Sequence, residues 1–353
     1  MYHAVIMAGG RGERFWPESR VSCPKQFLKL VGNQTMIQST VRRINRLIPA
    51  ENIYIVTNSI YKDLVREQLP KLKQENIIIE PAARNTAACI GLACAFIRHK
   101  DSDAVMAVLP SDHLVKEEKR FINIIDMAFR KAKSGNVLIA LGIKPNYPET
   151  GYGYIKCGPI NKDLFCKAEK FVEKPDADTA AKYMDAGNYL WNSGMFVWKA
   201  DSIMESFKKY MPGLYDSVIN IEKSIGQKSQ KRVIKEEYMK LENISIDYGI
   251  MEKADNIFVL PCDFGWDDVG SWTSLERLNP QDEEGNIIEG NVFGIDTKKC
   301  IVKADKKLIA TVGIEDLIVI DTKDAILICR KDRAQDIKKL INEMKENSMD
   351  LYL

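Results

Sequence analysis

The stretch AVIMAGGRGERFWP at positions 4–17 decides how this chain folds, together with PKQF at positions 24–27. A run of four apolar residues ends in three glycines within four positions. A short apolar run that leads into a glycine turn is typical of the first strand of a parallel α/β sheet. Glycine also lets backbone N–H groups approach an anion closely, because no Cβ intervenes. The stretch therefore predicts a first strand that ends in an anion-binding loop.

Three basic residues follow this turn within reach of it: Arg11, Arg14 and Lys25. They supply the positive charge that a polyphosphate needs. We therefore interpret the loop as a cradle for a triphosphate at the C-terminal end of the first strand. On the loop alone, a tight turn with solvated charges stays open as an alternative.

Two commoner glycine loops do not fit. The dinucleotide fingerprint requires a third glycine three residues after the second, and counting from Gly10 and Gly12 that position holds Phe15. The P-loop requires Gly-Lys-Ser or Gly-Lys-Thr, and neither tripeptide occurs in the chain. These absences argue against a dinucleotide-dependent oxidoreductase and against a P-loop nucleotidase.

Composition narrows the class further. The 353 residues are 45% hydrophobic and 28% charged, which is ordinary for a globular chain with one main and one smaller domain. A net charge of +2 argues against nucleic-acid binding by bulk electrostatics. The chain lacks a signal-peptide pattern at Met1 and any apolar run of about 18 to 20 residues, so no membrane partner is expected.

The chain has eight cysteines, and no two of them form a Cys-x-x-Cys pair. They lie in apolar segments, as expected of reduced thiols in a cytoplasmic protein. The three histidines are far apart in sequence, which argues against a zinc site. The metal type favoured instead is a hard cation held by carboxylates and phosphates.

The first half of the chain alternates strand and helix patterns. Strands are predicted near residues 4–7, 52–57, 76–80, 104–109 and 136–142, and helices near residues 35–47, 61–69, 86–98 and 119–133. This alternation predicts a doubly wound, mostly parallel α/β sheet. Ligands bind beyond the carboxyl ends of such strands, so the glycine loop and residues 80–86 and 110–113 should share one rim.

The pattern changes near residue 150. Strands near residues 152–155, 170–173 and 189–197 are predicted as a substrate-side extension, with helices near residues 202–211 and 228–240. A polar stretch at residues 280–285 marks a boundary. We therefore predict a catalytic domain at 1–280, with a nucleotide half at about 1–145 and a sugar half at about 146–280. A β-rich C-terminal domain follows at 286–353 and ends in a charged helix at residues 332–347.

Six motifs together resemble the sugar-1-phosphate nucleotidyltransferase family, and within it the branch of mannose-1-phosphate guanylyltransferases. They are GGxGxRxWP at 9–17, PKQF at 24–27, PSDH at 110–113, FVEKP at 171–175, WNSGMF at 191–196 and WxDVGSW at 266–272. The resemblance implies a Rossmann-like catalytic domain and a small β-helix-like C-terminal domain. Longer bacterial members carry an isomerase domain, which this chain is expected to lack because it ends too early.

The resemblance implies a reaction between GTP and mannose 1-phosphate that gives GDP-mannose and pyrophosphate. A phosphate oxygen of the sugar phosphate attacks the α-phosphorus of GTP in line. This nucleophile is already an anion, so no general base is required, and the chemical difficulty is to stabilise charge between two polyanions. Backbone amides, basic side chains and a divalent cation suit that task.

The resemblance also assigns roles to individual residues. The implied nucleotide-binding residues are Ala8, Gly9, Gly10, Gly12, Arg14, Lys25, Arg84, Asn85, Ser111 and Asp112. The implied sugar-binding residues are Gly153, Glu173, Lys174, Asn192 and Asp247. Arg14, Lys25, Asp112, Lys174 and Asp268 form the implied catalytic set, with Asp112 and Asp268 as ligands of Mg²⁺ or another divalent cation.

Each of these residues has a structural alternative. Asp112 is also a candidate N-cap for a helix at residues 114–119, and Asp268 is also a candidate for an Asx-turn or for capping a helix at Ser271. The adjacent Asp267 leaves the choice of metal-binding carboxylate open.

The remaining alternatives concern the implied sugar-binding residues and the loop at residues 80–86, which the resemblance places near the base of the nucleotide. Instead of binding a sugar, Glu173 could form an ion pair with Lys174 or Lys170 at the end of a strand. Asn192 could be a turn residue, and Asp247 could cap a helix. Asn85 or Thr86 could likewise be an N-cap. The five tryptophans are more often core residues or walls of a sugar site than catalysts.

Two functional alternatives remain at this level. One is a relative that uses another hexose 1-phosphate or another nucleoside triphosphate. The other is a non-catalytic regulator that binds a nucleotide sugar, although such a chain should lack one of Lys25, Asp112 or Asp268, and all three are present. The C-terminal β domain implied by the resemblance can mediate contacts between copies, so a homodimer is one expectation.

Overall fold

The computed structural model describes residues 1–10 and 12–353. The strands are β1 Tyr2–Met7, β2 Ile53–Asn58, β3 Ile77–Glu80, β4 Val105–Pro110, β5 Leu114–Val115, β6 Leu138–Ile143, β7 Gly153–Cys157, β8 Cys166–Glu173, β9 Tyr189–Lys199, β10 Ile257–Cys262, β11 Trp266–Asp267, β12 Ile287–Glu289, β13 Val292–Lys298, β14 Ile301–Lys303, β15 Ile309–Glu315, β16 Leu317–Asp321 and β17 Ile326–Arg330. The α-helices are α1 Met36–Ile44, α2 Lys62–Gln68, α3 Asn85–Lys100, α4 Glu118–Lys133, α5 Ala177–Ala186, α6 Ala200–Tyr210, α7 Pro212–Ser224, α8 Gln230–Met239 and α9 Ile337–Glu346.

The described residues form two compact units, each assembled from separate stretches of chain. Unit 1 comprises Met1–Gly9, Thr40–Ser111 and Val115–Trp266. Unit 2 comprises Gly10–Ser39, Asp112–Leu114 and Asp267–Leu353. Within the described residues, every helix is too short or too polar to span a lipid bilayer.

Unit 1 is built on a nine-stranded sheet with the order β3-β2-β1-β4-β9-β6-β10-β8-β7. The first four strands are parallel, with Ala4 opposite Ile53 on one side and Ala107 on the other. The central residues of these strands are apolar and buried, which is the pattern of a parallel sheet that is covered on both faces. The predicted α/β sheet architecture is confirmed, and the whole sheet is mixed.

Strand β9 accounts for the mixed character. It lies in the middle of the sheet and runs antiparallel to both β4 and β6, whereas the sequence placed it in a substrate-side extension. Phe196, Val197 and Trp198 are each at most 1% exposed, so the strand is apolar on both faces and needs cover on both. An edge position would have left one of those faces in water.

Helix α3 is buried on nearly all sides. Its middle is rich in Ala, Gly and Cys, and it packs against β1, β2, β3 and α7. Small side chains let the helix approach the sheet and α7 closely at the same time. This packing fixes the N-terminus of α3, and with it the loop that follows β3.

Unit 2 has its own core, to which the C-terminal strands contribute. Strands β12, β14 and β16 pair in parallel in successive turns of chain, with Ile287, Ile301 and Ile318 in register. Strands β13 and β15 form a second parallel ladder. Ile301 and Ile318 pack with Ile337 and Ile341 of α9 in one apolar cluster. The predicted β-helix-like C-terminal domain is confirmed.

Candidate functional site: a buried lysine with two aspartates, and a sugar-type polar cluster

The glycine loop begins where β1 ends. The Ala8 N–H donates to the Val56 carbonyl at 2.8 Å, and the Ala8 carbonyl accepts from the Thr57 hydroxyl at 2.9 Å. A Cβ on Gly9 would lie 2.7 Å from Oε2 of Glu80, so this carboxylate is packed against the Gly9 backbone. Strands β2 and β3 therefore hold the start of the loop in place.

The second part of the loop packs on the PKQF segment within unit 2. Gly12 has a φ of 55°, and a Cβ there would collide with the Lys25 Cβ and lie 2.7 Å from the Lys25 backbone nitrogen. Only glycine fits this approach and this conformation. The Gln26 side-chain amide donates to the Gly10 carbonyl at 2.9 Å. The two motifs that the sequence grouped are thus in contact.

Of the three predicted basic residues, Arg11 lies outside the described residues. Arg14 is exposed, and its guanidinium donates to the Gln335 side chain at 3.3 Å. Lys25 is different, because its side chain is only 7% exposed. A lysine this buried requires compensating oxygen atoms.

One carboxylate and one backbone carbonyl accept hydrogen bonds from the Lys25 ammonium group. This group lies 2.9 Å from Oδ2 of Asp112 and donates to the backbone carbonyl of Asp268 at 2.5 Å. Asp112 follows β4, and Asp268 follows β11. One ammonium group thus links the two aspartates that the sequence predicted as metal ligands, at separations of 87 and 243 positions.

The charge of Lys25 also controls the ionisation of Asp112. Burial alone would raise the pKa of the Asp112 carboxyl, but the Lys25 ammonium group and the adjacent His113 outweigh burial and lower that pKa below its ordinary value of 3.8. Asp112 is therefore a carboxylate throughout the physiological range. Its side chain keeps 32% exposure, which leaves room for a further ligand.

Asp112 does not cap a helix at residue 114, and other residues form the Asx-turn and the cap of the helix at Ser271 that were considered as alternatives for Asp268. Residues after Asp112 form strand β5, and helix α4 begins only at Glu118, so no helix starts at residue 114. The Asx-turn belongs to Asp267, whose carboxylate accepts from the Val269 N–H at 2.8 Å and from Arg277 at 2.9 and 3.0 Å. Ser271 caps the following 3₁₀-helix, Trp272–Arg277. Asp267 therefore has a structural role, which leaves Asp268 as the candidate ligand.

The residues around Lys25 fit a hard divalent cation. Within residues 1–10 and 12–353, no group of three or more His, Cys, Asp or Glu side chains is placed to hold a metal ion by itself. Mg²⁺ commonly takes one or two carboxylates and fills its shell with phosphate oxygens and water. The Asp112 carboxylate contacts the Lys25 ammonium group, and Asp268 contacts it through its backbone carbonyl, so these two residues are the candidates to hold such a cation.

A polar cluster of the sugar-binding type lies in unit 1. The Asn192 amide donates to Oδ1 of Asp247 at 2.7 Å, and a Cβ on Gly153 would lie 2.6 Å from Oε2 of Glu173 and 3.5 Å from the Asn192 Cβ. Gly153 therefore makes room for Glu173 beside Asn192. Four of the five predicted sugar-binding residues meet here, and they present carboxylate and amide oxygens suited to hydroxyl groups.

The fifth residue, Lys174, is next to this cluster in sequence and is exposed. Its ammonium group lies 3.4 Å from Oε1 of Glu173, and the two side chains are 64% and 30% exposed. The ion pair considered as an alternative for Glu173 therefore exists. At this exposure it contributes little to stability, about 0 to 1 kcal/mol, so it does not account for the placement of Glu173 against Gly153.

Asp247 begins a single π-helical turn, Asp247–Met251, with Ile246 rather than Asp247 at the cap position. Burial and the nearby charge of Glu173 raise the pKa of the Asp247 carboxyl, while the Asn192 hydrogen bond partly offsets them. Single π-helical turns occur often at functional sites. Asn192 lies within β9 and is not a turn residue, since β9 continues through it to Lys199.

The loop between β3 and α3 contains the residues predicted near the nucleotide base. Helix α3 begins at Asn85, which has a φ of 62°, and the Asn85 side chain accepts from the Thr86 N–H at 2.9 Å. The Thr86 hydroxyl accepts from the Ile246 N–H, and Arg84 donates to the Met239 carbonyl. Neither Asn85 nor Thr86 is the N-cap that the sequence alternative proposed.

Ser111, another of the predicted nucleotide-binding residues, contacts Thr40 of α1. Its carbonyl accepts from the Thr40 hydroxyl at 3.4 Å, and its N–H donates to the Met7 carbonyl at 3.1 Å. The serine is 2% exposed. Its backbone therefore fixes the chain direction immediately before Asp112.

Sequence reasoning missed the partner of Glu80. The Tyr238 hydroxyl donates to Oε1 of Glu80 at 2.5 Å, and Tyr238 is fully buried. Burial raises the pKa of the Glu80 carboxyl, and the Tyr238 hydrogen bond partly offsets this effect. An acidic residue at the end of a buried strand was the only available signal, because the tyrosine lies 158 positions away.

Comparison with known proteins defines the class. Residues 3–285 match the family model described as nucleotidyl transferase, and residues 290–344 match the mannose-phosphate isomerase/GMP-like β-helix domain. The chain belongs to the nucleotidyl transferase family. Its members transfer a nucleotide from a nucleoside triphosphate to a sugar 1-phosphate and generally use a divalent metal. The family predicted from the motifs is thus confirmed, and the chain is an enzyme.

Particular relatives narrow the comparison. The mannose-1-phosphate guanylyltransferase of Escherichia coli (strain K12) is 41% identical over 352 residues, which is 97% of this chain and 73% of that protein. The enzyme of the same name from Salmonella montevideo is 39% identical over 98% of this chain and 74% of its own length. A crystal structure from Thermus thermophilus, described as mannose-1-phosphate geranyltransferase, is 33% identical with a TM-score of 0.89 and covers 98% of this chain and 99% of its own.

Proposed function

We propose that this enzyme transfers GMP from GTP to mannose 1-phosphate, giving GDP-mannose and pyrophosphate. The observation that carries the proposal is the buried ammonium of Lys25, held between the Asp112 carboxylate and the Asp268 carbonyl. The names of the relatives at about 40% identity support this pair of substrates.

The reaction forms one bond and breaks one. An oxygen of the sugar phosphate bonds to the α-phosphorus of GTP, the bond from that phosphorus to the bridging oxygen breaks, and pyrophosphate leaves with the electron pair. No proton transfer is needed at neutral pH. The protein therefore has to orient two anions and stabilise the charge that develops on the triphosphate.

We assign Ala8, Gly9, Gly10, Gly12, Arg14, Arg84, Asn85 and Ser111 to GTP binding. Lys25 supplies a fixed positive charge in a site with few competing waters, where its interaction with phosphate oxygens is strong. Asp112 and Asp268 would hold Mg²⁺, which would neutralise triphosphate charge when bound.

The sugar side consists of Gly153, Glu173, Lys174, Asn192 and Asp247. Glu173 and Asp247 accept hydrogen bonds from hydroxyl groups, Asn192 both donates and accepts, and Lys174 attracts the phosphate. These assignments correspond to the proposed division of the catalytic domain 1–280 into a nucleotide half at about 1–145 and a sugar half at about 146–280, followed by the domain at 286–353. The buried cysteines Cys94 and Cys262, neither of which is in a disulfide, support a cytoplasmic location.

The proposal is tested by incubating the enzyme with GTP, mannose 1-phosphate and Mg²⁺ and measuring pyrophosphate, with the product identified by mass spectrometry. GDP-mannose and pyrophosphate should appear in equal amounts and only when both substrates are present. Pyrophosphate without a nucleotide sugar would contradict transfer to the sugar phosphate.

Glu173→Gln should impair use of the sugar phosphate more than use of the nucleotide. The amide replaces one of the two acceptor oxygens of the carboxylate by an NH2 donor and removes its charge, so we expect KM for mannose 1-phosphate to rise about tenfold while KM for GTP changes little. Steady-state titration of each substrate measures both values.

Glu169→Gln is the matched control, because Glu169 lies on the same strand and pairs with Lys156 at 2.9 Å. It should leave both KM values near wild type. If Glu173→Gln instead raises KM for GTP alone, the assignment of residues to a sugar half is wrong.

We also propose a homodimer formed through the exposed face of β13 and β15. Phe293, Ile295 and Val312 are 67%, 54% and 70% exposed, and Ile295 is directly opposite Val312. Large apolar side chains in one exposed group are typical of an interaction surface. A second copy of the same ladder would cover them.

The double variant Phe293→Glu/Val312→Glu should therefore be monomeric, because burying two charges in an apolar interface costs more than the interface gains. Light scattering after size exclusion should give the 40.1 kDa monomer for this variant and twice that mass for the wild type. Leu164→Glu, at a residue that is also 57% exposed but lies in unit 1, is the control and should stay dimeric. A wild-type protein of monomer mass would overturn this proposal.

A further inference from the structure

The segment at residues 238–247, here called the strap, contacts the predicted nucleotide loop repeatedly. At its beginning, the Tyr238 hydroxyl donates to Glu80 and the Met239 carbonyl accepts from Arg84 at 3.0 Å. Glu80 is the last residue of β3, and Arg84 lies in the turn between β3 and α3. The strap is therefore fixed to this loop at one end.

Two further hydrogen bonds fix the other end of the strap. The Ile246 N–H donates to the Thr86 hydroxyl at 2.8 Å, and the Ile244 carbonyl accepts from the Ala87 N–H at 3.3 Å. Ile246 is only 1% exposed, so its N–H depends on a protein acceptor rather than on water. Thr86 supplies that acceptor from the first turn of α3.

The strap ends at Asp247, the residue that accepts from Asn192 in the sugar-type cluster. Ile246 and Asp247 share a peptide bond, so the position of the Asp247 carboxylate depends on how the Ile246 N–H is held. Thr86 holds this N–H on one side, and Asn192 holds the Asp247 side chain on the other.

We infer that Thr86 is a positioning residue for the sugar-phosphate subsite and acts on it through the strap. This inference rests on the proposed function and extends it. Thr86 lies in sequence beside Arg84 and Asn85, which we assign to GTP, yet its hydroxyl supports Asp247. Loss of that hydroxyl should weaken the binding of mannose 1-phosphate more than the binding of GTP.

The test compares Thr86→Val, which keeps the shape but removes the acceptor, with Thr86→Ser, which keeps the acceptor. Because misplacing a binding group weakens binding steeply, we expect Thr86→Val to raise KM for mannose 1-phosphate about tenfold and KM for GTP less than about threefold. Thr86→Ser should restore both values to within about twofold of wild type. If Thr86→Val does not fold, Thr86→Ala serves for the same comparison.

A matched control separates positioning from general loss of stability. Thr297→Val removes a buried hydroxyl that hydrogen-bonds to Thr311 at 2.7 Å in the C-terminal strands. It should lower Tm without changing either KM. Equal KM changes in Thr86→Val and Thr297→Val, or a rise confined to GTP, would overturn the inference.

Hydrogen exchange gives a readout that needs no substrate. Since the Ile246 amide loses its acceptor, we expect exchange in a peptide spanning residues 244–251 to be at least about tenfold faster in Thr86→Val and unchanged in Thr86→Ser. Unchanged exchange in Thr86→Val would contradict the inference that Thr86 acts through the strap. Failure of the wild type to make GDP-mannose would instead contradict the proposed function, so the two failures are distinguishable.

Discussion

Replacing Asp112 or Asp268 by asparagine should abolish nearly all turnover while leaving the fold intact. An amide keeps the size of the side chain but removes the negative charge that a divalent cation requires. Loss of a metal ligand removes several kcal/mol of transition-state stabilisation, so we expect kcat to fall by about three orders of magnitude or more. The rate of pyrophosphate release at saturating Mg²⁺ and substrates measures this effect.

Asp267→Asn is the control for Asp268→Asn, because the two carboxylates are adjacent in sequence and differ in their contacts. Asp267 accepts from the Val269 N–H and pairs with Arg277. Its replacement should lower Tm and leave kcat near wild type. A loss of kcat in Asp267→Asn together with normal turnover in Asp268→Asn would show that the assignment of the two residues is reversed.

Lys25→Met should reduce kcat/KM for GTP by about two orders of magnitude, because a charge-assisted contact strengthens as charge develops on the phosphates. Methionine fills a similar volume without the charge. Initial rates over a range of GTP concentrations measure the effect, and circular dichroism checks that the variant is folded.

Lys331→Met is a suitable control, since Lys331 is a largely covered lysine of unit 2 that is also paired with a carboxylate. Its side chain is 11% exposed and pairs with Glu276, whereas that of Lys25 is 7% exposed. Loss of stability from removing a buried ion pair should be similar in the two variants. If both variants lose GTP turnover equally, Lys25 has only a structural role.

The sequence predicted the parallel part of the sheet well, because apolar runs and glycine turns report local structure. The strands predicted near residues 4–7 and 104–109 correspond to Tyr2–Met7 and Val105–Pro110. These two strands are followed directly by the glycine loop and by Ser111 and Asp112, the segments on which the site prediction depends.

Local patterns did not predict α7 or β10. Helix α7 begins at Pro212, directly before Gly213, a pair that reads as a turn. Strand β10 contains Pro261, which normally argues against a strand inside a sheet, yet it lies between β6 and β8. In both places tertiary packing overrides the local preference.

Long-range contacts set the chemistry of the site, and sequence spacing does not report them. The sequence predicted a charge at Lys25 but not its burial between Asp112 and Asp268. It named Asp268 as a metal ligand, with the adjacent Asp267 as an open alternative, and it did not predict the contact of Asp267 with Arg277. The links from Tyr238 to Glu80 and from Ile246 to Thr86 were missed for the same reason.

The most direct test of the central claim is kcat/KM for pyrophosphate release across ATP, CTP, GTP and UTP, each with mannose 1-phosphate, glucose 1-phosphate and galactose 1-phosphate. We predict that GTP with mannose 1-phosphate exceeds every other pair by at least about tenfold, because a site with hydrogen bonds to a given hydroxyl or base edge discriminates against partners that leave them unpaired. A higher kcat/KM for another nucleotide or another hexose 1-phosphate would contradict the assignment.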